Sequence, residues 1–95
     1  MHDIASKRFT SPLGIDEMLV ILRGQPGQID EWRIQDSEYD GRYVRGTLEG
    51  AKVRIVEYPG YYDAELWFGA ESEEHRSSLV HALDDLLVKT LQAVL

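Results

Sequence analysis

The sequence predicts an α+β domain: a four-stranded antiparallel meander with an N-terminal helix and a long C-terminal helix packed on one face, in the order α-β-β-β-β-α. Three observations carry this. Residues 42–48, 51–58 and 61–68 alternate apolar and polar side chains with the period of a half-buried strand. Only Glu49-Gly50 and Pro59-Gly60 separate them, the spacing of tight hairpins. Residues 72–94 then repeat apolar side chains at helical spacing.

Residues 1–10 are expected to be loosely held or to form a short edge strand over about 4–9. The first helix is expected over about 12–23. Ser11 can cap it and Pro12 suits its first position, while Gly14 weakens that start and favours one nearer Ile15. Ile15, Met18, Leu19 and Leu22 form its apolar stripe. Gly24 and Pro26-Gly27 stop it.

A strand follows at about 29–35, with Trp32 and Ile34 on one face and Glu31, Arg33 and Gln35 on the other. Residues 36–41 (D-S-E-Y-D-G) read as a connecting loop. In the next hairpin, Leu48 opposite Ala51 sets Gly46 against Val53 and Val44 against Ile55, so the apolar residues share a face. A one-residue slip would scatter them. Pairing Tyr58 with Tyr61 carries the same face into the last strand, with Ile55 against Ala64 and Val53 against Leu66. The outer face then sets Arg54 against Glu65 and Lys52 against Trp67. Pro-Gly favours a type II turn, whose twist suits a two-residue hairpin badly, so a longer or bulged loop is the competing register there.

The C-terminal helix is expected over about 72–94, capped by Ser72, with Glu73 and Glu74 at the positive end of its dipole. Leu79, Val80, Leu83, Leu86, Leu87, Leu91 and Val94 line it, and Val88 and Leu95 widen the arc. Such a helix would be about 34 Å long, against about 26 Å for an eight-residue strand. It would offer more apolar surface than the sheet can cover, which makes Val80, Leu87, Val88, Leu91 and Leu95 candidate homodimer contacts.

Ninety-five residues with 43% hydrophobic content make one small globular domain, residues 1–95. The chain has no cysteine, which excludes disulfides and thiolate chemistry and fits a reducing compartment such as the cytoplasm. The longest apolar run, residues 18–22, is far too short to span a bilayer. The net charge is −7, and residues 55–75 hold six acids without a lysine or arginine. That balance speaks against nucleic acid and anionic membranes as partners. A nucleic-acid mimic built on the acids of 57–74 is a thin option, because their spacing does not track phosphates.

No catalytic, cofactor-binding or metal motif is present. His75 and His81 fall about 240° apart on a helix. His81 with Asp84 and Asp85 offers at most a weak metal contact without a third ligand, so a solvated helix face is the simpler reading. Ser72, Ser77 and Ser78 lack a nucleophile elbow, and G-Q-P-G at 24–27 lacks the ending of a phosphate loop. Asp63 and Glu65 share the outer face of one strand, where Arg54 makes an ordinary ion pair a better account than acid/base chemistry.

The aromatics are the strongest functional signal. Tyr43, Tyr61 and Trp67 fall on the outer sheet face with Tyr58 beside them, and interfaces are enriched in such side chains. Half-exposed sheets also use tyrosine pairs for stability alone. Together with Asp63 and Glu65, and with Glu57 nearby, they suggest a surface for another protein, a basic one. The expected function is therefore a small acidic cytoplasmic protein-interaction domain without catalytic activity, of an adaptor, chaperone or immunity kind and homodimeric. The alternative is a small-molecule or enzymatic pocket between sheet and helices, lined by Trp32, Val44, Ile55, Tyr62, Leu66 and Phe68.

Overall fold

Alternation of side chains across the strands decides the architecture. The computed structural model describes residues 3–24, 32–37, 41–69 and 71–95. In chain order the elements are β1 (Asp3–Phe9), α1 (Ile15–Arg23), β2 (Arg33–Ser37), β3 (Gly41–Leu48), β4 (Ala51–Tyr58), β5 (Tyr61–Phe68) and α2 (Glu73–Asp85), followed by a π-helical turn over Leu86–Thr90. The strands form one antiparallel sheet in the order β1-β5-β4-β3-β2. The predicted meander is thus present as β2 to β5, and the N-terminal segment adds a fifth strand beside β5.

Both predicted hairpin registers are observed. Val44 pairs with Ile55, Gly46 with Val53 and Leu48 with Ala51; Val53 pairs with Leu66, Ile55 with Ala64 and Tyr58 with Tyr61. Glu49 and Gly50 both have positive φ, at 49° and 86°, the signature of the type I′ turn that matches strand twist. At Pro59-Gly60 only Gly60 has positive φ among the two, as a type II turn requires. The two-residue loop is nevertheless kept, and the Tyr58 and Tyr61 rings stack across it at 5.1 Å and 16°. That stacking offsets the poorer twist match.

The face shared by Val44, Leu48, Val53, Ile55, Tyr62, Ala64 and Leu66 is buried beneath the helices with Trp32 and Phe9. Phe9 stacks on Tyr62 at 5.3 Å. From α1, Ile15, Met18 and Leu22 enter this core; from α2, Leu79 and Leu83 do. Helix α1 starts at Ile15, with Gly14 as its cap residue and the Glu17 carboxylate accepting from the Gly14 N–H at 3.0 Å. Ser11 is therefore not its cap. Its Oγ accepts from the Leu13 N–H at 3.1 Å and donates to the Leu91 carbonyl at 2.6 Å. Trp32, expected within the strand, precedes β2, which runs through Ser37; Ser37 pairs with Gly41, so the predicted 36–41 loop is shorter at both ends. The predicted strand residues 29–31 lie outside the described residues.

The largest correction concerns the C-terminal helix. Ser72 caps it as expected, its Oγ accepting from the His75 N–H at 3.2 Å. The α-helix ends at Asp85, not near 94. On a continuous helix Leu91 would sit about 120° from Leu79, at the rim of the apolar arc. The π turn takes up one extra residue and so rotates Leu91 back toward the core by roughly the 100° one residue occupies. The chain then leaves the helix, with Gln92 at φ 55°, and Ala93 reaches back to the Leu87 carbonyl at 3.0 Å. Val94 and Thr10 exchange backbone hydrogen bonds of 2.8 and 3.1 Å, and Lys7 reaches Asp84 at 2.7 Å. The C-terminal segment is fastened along the end of β1 and the residues after it.

This refolding buries part of the surplus apolar surface. Leu87 and Leu91 are fully buried within the protomer, and Val80 is partly buried against the core. They are not available to a second copy as the continuous-helix expectation required. Of the five proposed contacts, Val88 and Leu95 are exposed, at 48% and 55%.

Candidate interaction surface

Both helices lie on one side of the sheet, and the other side is free of them. The register places on that open side Ile4, Ser6 and Arg8 of β1; Tyr61, Asp63, Glu65 and Trp67 of β5; Lys52, Arg54, Val56 and Tyr58 of β4; Tyr43, Arg45 and Thr47 of β3; and Arg33 and Gln35 of β2. All six residues expected to bind a partner, Tyr43, Tyr58, Tyr61, Asp63, Glu65 and Trp67, therefore lie on one surface. Alternation alone brings them together, because each strand shows every second residue to the same side.

The side chains of this face hold one another. The Arg54 Nε donates to the Glu65 carboxylate at 2.7 Å, and both side chains are four-fifths buried. The Arg54 guanidinium also lies over the Tyr43 ring at 4.9 Å, Lys52 over Trp67 at 4.6 Å, and Arg8 over Tyr61 at 4.1 Å. The Tyr43 hydroxyl donates to the Gln35 amide oxygen at 2.7 Å. Arg8 stands 3.8 Å from Asp63. Beneath them Val56, set between Tyr43 and Asp63, is fully buried although no helix covers it.

Two features differ from the sequence expectation. Glu57 pairs with Tyr62 and so faces the helix side; it does not join Asp63 and Glu65. Asp63 has Arg8 beside it, which was not expected, whereas Glu65 has the expected Arg54. Arg8, Arg33 and Arg45 also stand on this side, cations that the expected surface of Tyr43, Tyr58, Tyr61, Asp63, Glu65 and Trp67 does not include. Counting charges by strand parity over all five strands would have found them; counting along residues 55–75 could not.

His75 and His81 are exposed, Asp84 is taken up by Lys7, and among the described residues no three His, Asp or Glu side chains are grouped to hold a metal. The Tyr62 hydroxyl donates to the Leu13 carbonyl at 2.7 Å. Burial, and then the charges of Glu57 and Glu17, push its pKa up. Depressions lined by described residues open at both ends of the sheet. One of about 480 Å³ is lined by Ser11, Glu57, Tyr58, Pro59, Gly60, Tyr61 and Tyr62. Another, about 350 Å³, lies between Gly50–Lys52 and Trp67–Gly69 with Glu71. The residues expected to line a pocket between sheet and helices are packed into the core.

No family model matches this chain, and no curated protein or solved structure matches it either.

Proposed function

We propose that this chain is a small protein-interaction domain without catalytic activity, working as an adaptor, chaperone or immunity protein does, and that the helix-free face of the sheet is its binding surface. One observation carries the reading: four aromatic side chains and their cationic partners form a continuous outer layer over a buried valine, on a face that the fold itself leaves uncovered. Their mutual contacts fix rotamers before any partner arrives, which lowers the entropic cost of association. Aromatic and arginine side chains are the usual anchors of such contacts. A cytoplasmic setting belongs to the same reading, supported by the absence of cysteine. No helix among the described residues is long and apolar enough to cross a membrane.

Affinity capture with the intact chain and with a Tyr43→Ser, Tyr61→Ser variant tests the reading. Proteins retained by the first and lost by the folded second support it. Retention of the same proteins by both would sink it. The rival small-molecule reading leans on the depression beside Glu57 and Tyr62, and a thermal upshift with a metabolite in place of a protein partner would favour it.

A further inference from the structure

We infer that the open face receives an acidic segment of a partner protein, seated across a row of three arginines; this rests on the protein-interaction reading above. The register sets Arg33 of β2 opposite Arg45 of β3, and Arg45 opposite Arg54 of β4. Like charges directly opposite on a sheet destabilise it. Only Arg54 is matched on the next strand, by Glu65. Among the described residues neither Arg33 nor Arg45 makes an ion pair with a carboxylate. Among the described residues of this face five cations (Arg8, Arg33, Arg45, Lys52, Arg54) stand against two carboxylates (Asp63, Glu65). A chain of net charge −7 thus gathers half its lysines and arginines onto its uncovered side, leaving that side locally positive.

The chemistry of the ligand follows from what these groups recognise. Guanidinium groups take carboxylates in pairs of parallel hydrogen bonds. Neighbouring strands are about 4.8 Å apart, so the row spans about 10 Å. Carboxylates one helical turn apart lie about 5–6 Å from each other, and alternate strand residues about 6.6–6.8 Å; flexible arginine stems reach either pattern. A single-stranded nucleic acid would also supply anions, but it gains much of its affinity by stacking bases on open rings. Here Tyr43, Trp67 and Tyr61 already carry cations over their rings, and Tyr58 stacks on Tyr61. The acidity of the rest of the chain further opposes a long polyanion.

The test uses the whole chain, a fluorescent deca-glutamate peptide, a deca-lysine peptide and a twenty-nucleotide oligothymidylate. Anisotropy should show binding of deca-glutamate, weakened at least tenfold by Arg45→Glu or Arg33→Glu and several-fold by raising salt from 50 to 300 mM, with no binding of deca-lysine. Arg45→Glu should also raise the melting temperature, since it replaces two like-charge neighbours by two opposite ones. That second readout separates a binding role from a structural one. Failure of deca-glutamate to bind, indifference to both substitutions, a lowered melting temperature for Arg45→Glu, or tighter binding of oligothymidylate would each overturn the proposal. Self-association abolished by Arg45→Glu would do so too, by assigning the row to a second copy. If captured proteins depend on Tyr43 and Tyr61 yet deca-glutamate neither binds nor displaces them, the interaction reading stands and the acidic partner falls.

Discussion

The indole of Trp32 rests directly on Gly46. A Cβ built on Gly46 would lie 2.5 Å from Cε3 and 2.7 Å from Cε2 of that ring, and nearer still to Cδ2. The glycine is thus the floor on which the largest core side chain sits, and strand β3 gives up strand propensity there to admit it.

Gly46→Ala is therefore expected to destabilise the protein by about 2–3 kcal/mol, the upper part of the usual range for overpacking. Trp32→Phe frees space over β3 and removes an indole N–H that is buried without a hydrogen-bond partner among the described residues. On that background the alanine should cost clearly less. Urea denaturation of the four proteins of the cycle measures the coupling; additive effects would mean that the two residues do not compete for the same space.

Glu49 occupies the first turn position between β3 and β4 with φ 49°, where a type I′ turn prefers asparagine. Glu49→Asn should stabilise the fold by about 0.5–1 kcal/mol by relieving left-handed strain. An unchanged or lower thermal midpoint would show that the turn bears no such strain.

Tyr62→Phe should cost about 0.5–1.5 kcal/mol at neutral pH by deleting the hydrogen bond to the Leu13 carbonyl. The pH dependence has a definite sign. Because the folded pKa is raised above the unfolded value of about 10, the folded state prefers the neutral phenol. That contribution is complete below about pH 10 and is lost as pH climbs through the folded value. The difference in stability between wild type and Tyr62→Phe should consequently shrink in strongly alkaline buffer. A constant difference from pH 7 to 11 would argue against burial as the cause.

Leu91 is fully buried by the turn of the chain after α2. Leu91→Ala should destabilise by about 2–5 kcal/mol, the usual range for emptying a leucine site in a core. The unfolding midpoint of both proteins should be independent of protein concentration. A midpoint that rises with concentration, and a rise abolished by Leu91→Ala, would return this residue to a dimer interface.

The contrast between the two hairpins and the C-terminal segment shows what was legible. Val44, Val53, Ile55 and Leu66 announce their face by alternation, and Glu49-Gly50 sits where a type I′ turn belongs; both are local signals. The helix, by comparison, was legible in type and start but not in length. Residues 86–94 keep a helical apolar spacing, yet Leu91 and Ala93 lower their energy more by folding onto the core than by extending a helix past the sheet.

The partner surface divides the same way. That Tyr43, Tyr58, Tyr61 and Trp67 share a side followed from strand period alone. Its charge did not, because a sheet face collects residues from strands far apart in sequence: Arg8 and Asp63 come within 3.8 Å across 55 positions, and Arg33, Arg45 and Arg54 meet only once three strands are in register.

By itself, then, the sequence determined the fold class, the three strands β3 to β5, their registers in the two hairpins and the inward face, since each depends on neighbours within a few residues. Only the tertiary structure decided the edge taken by β1, the break in the last helix, and which charges stand side by side. Those depend on where distant segments find room and partners, and chain spacing does not encode that.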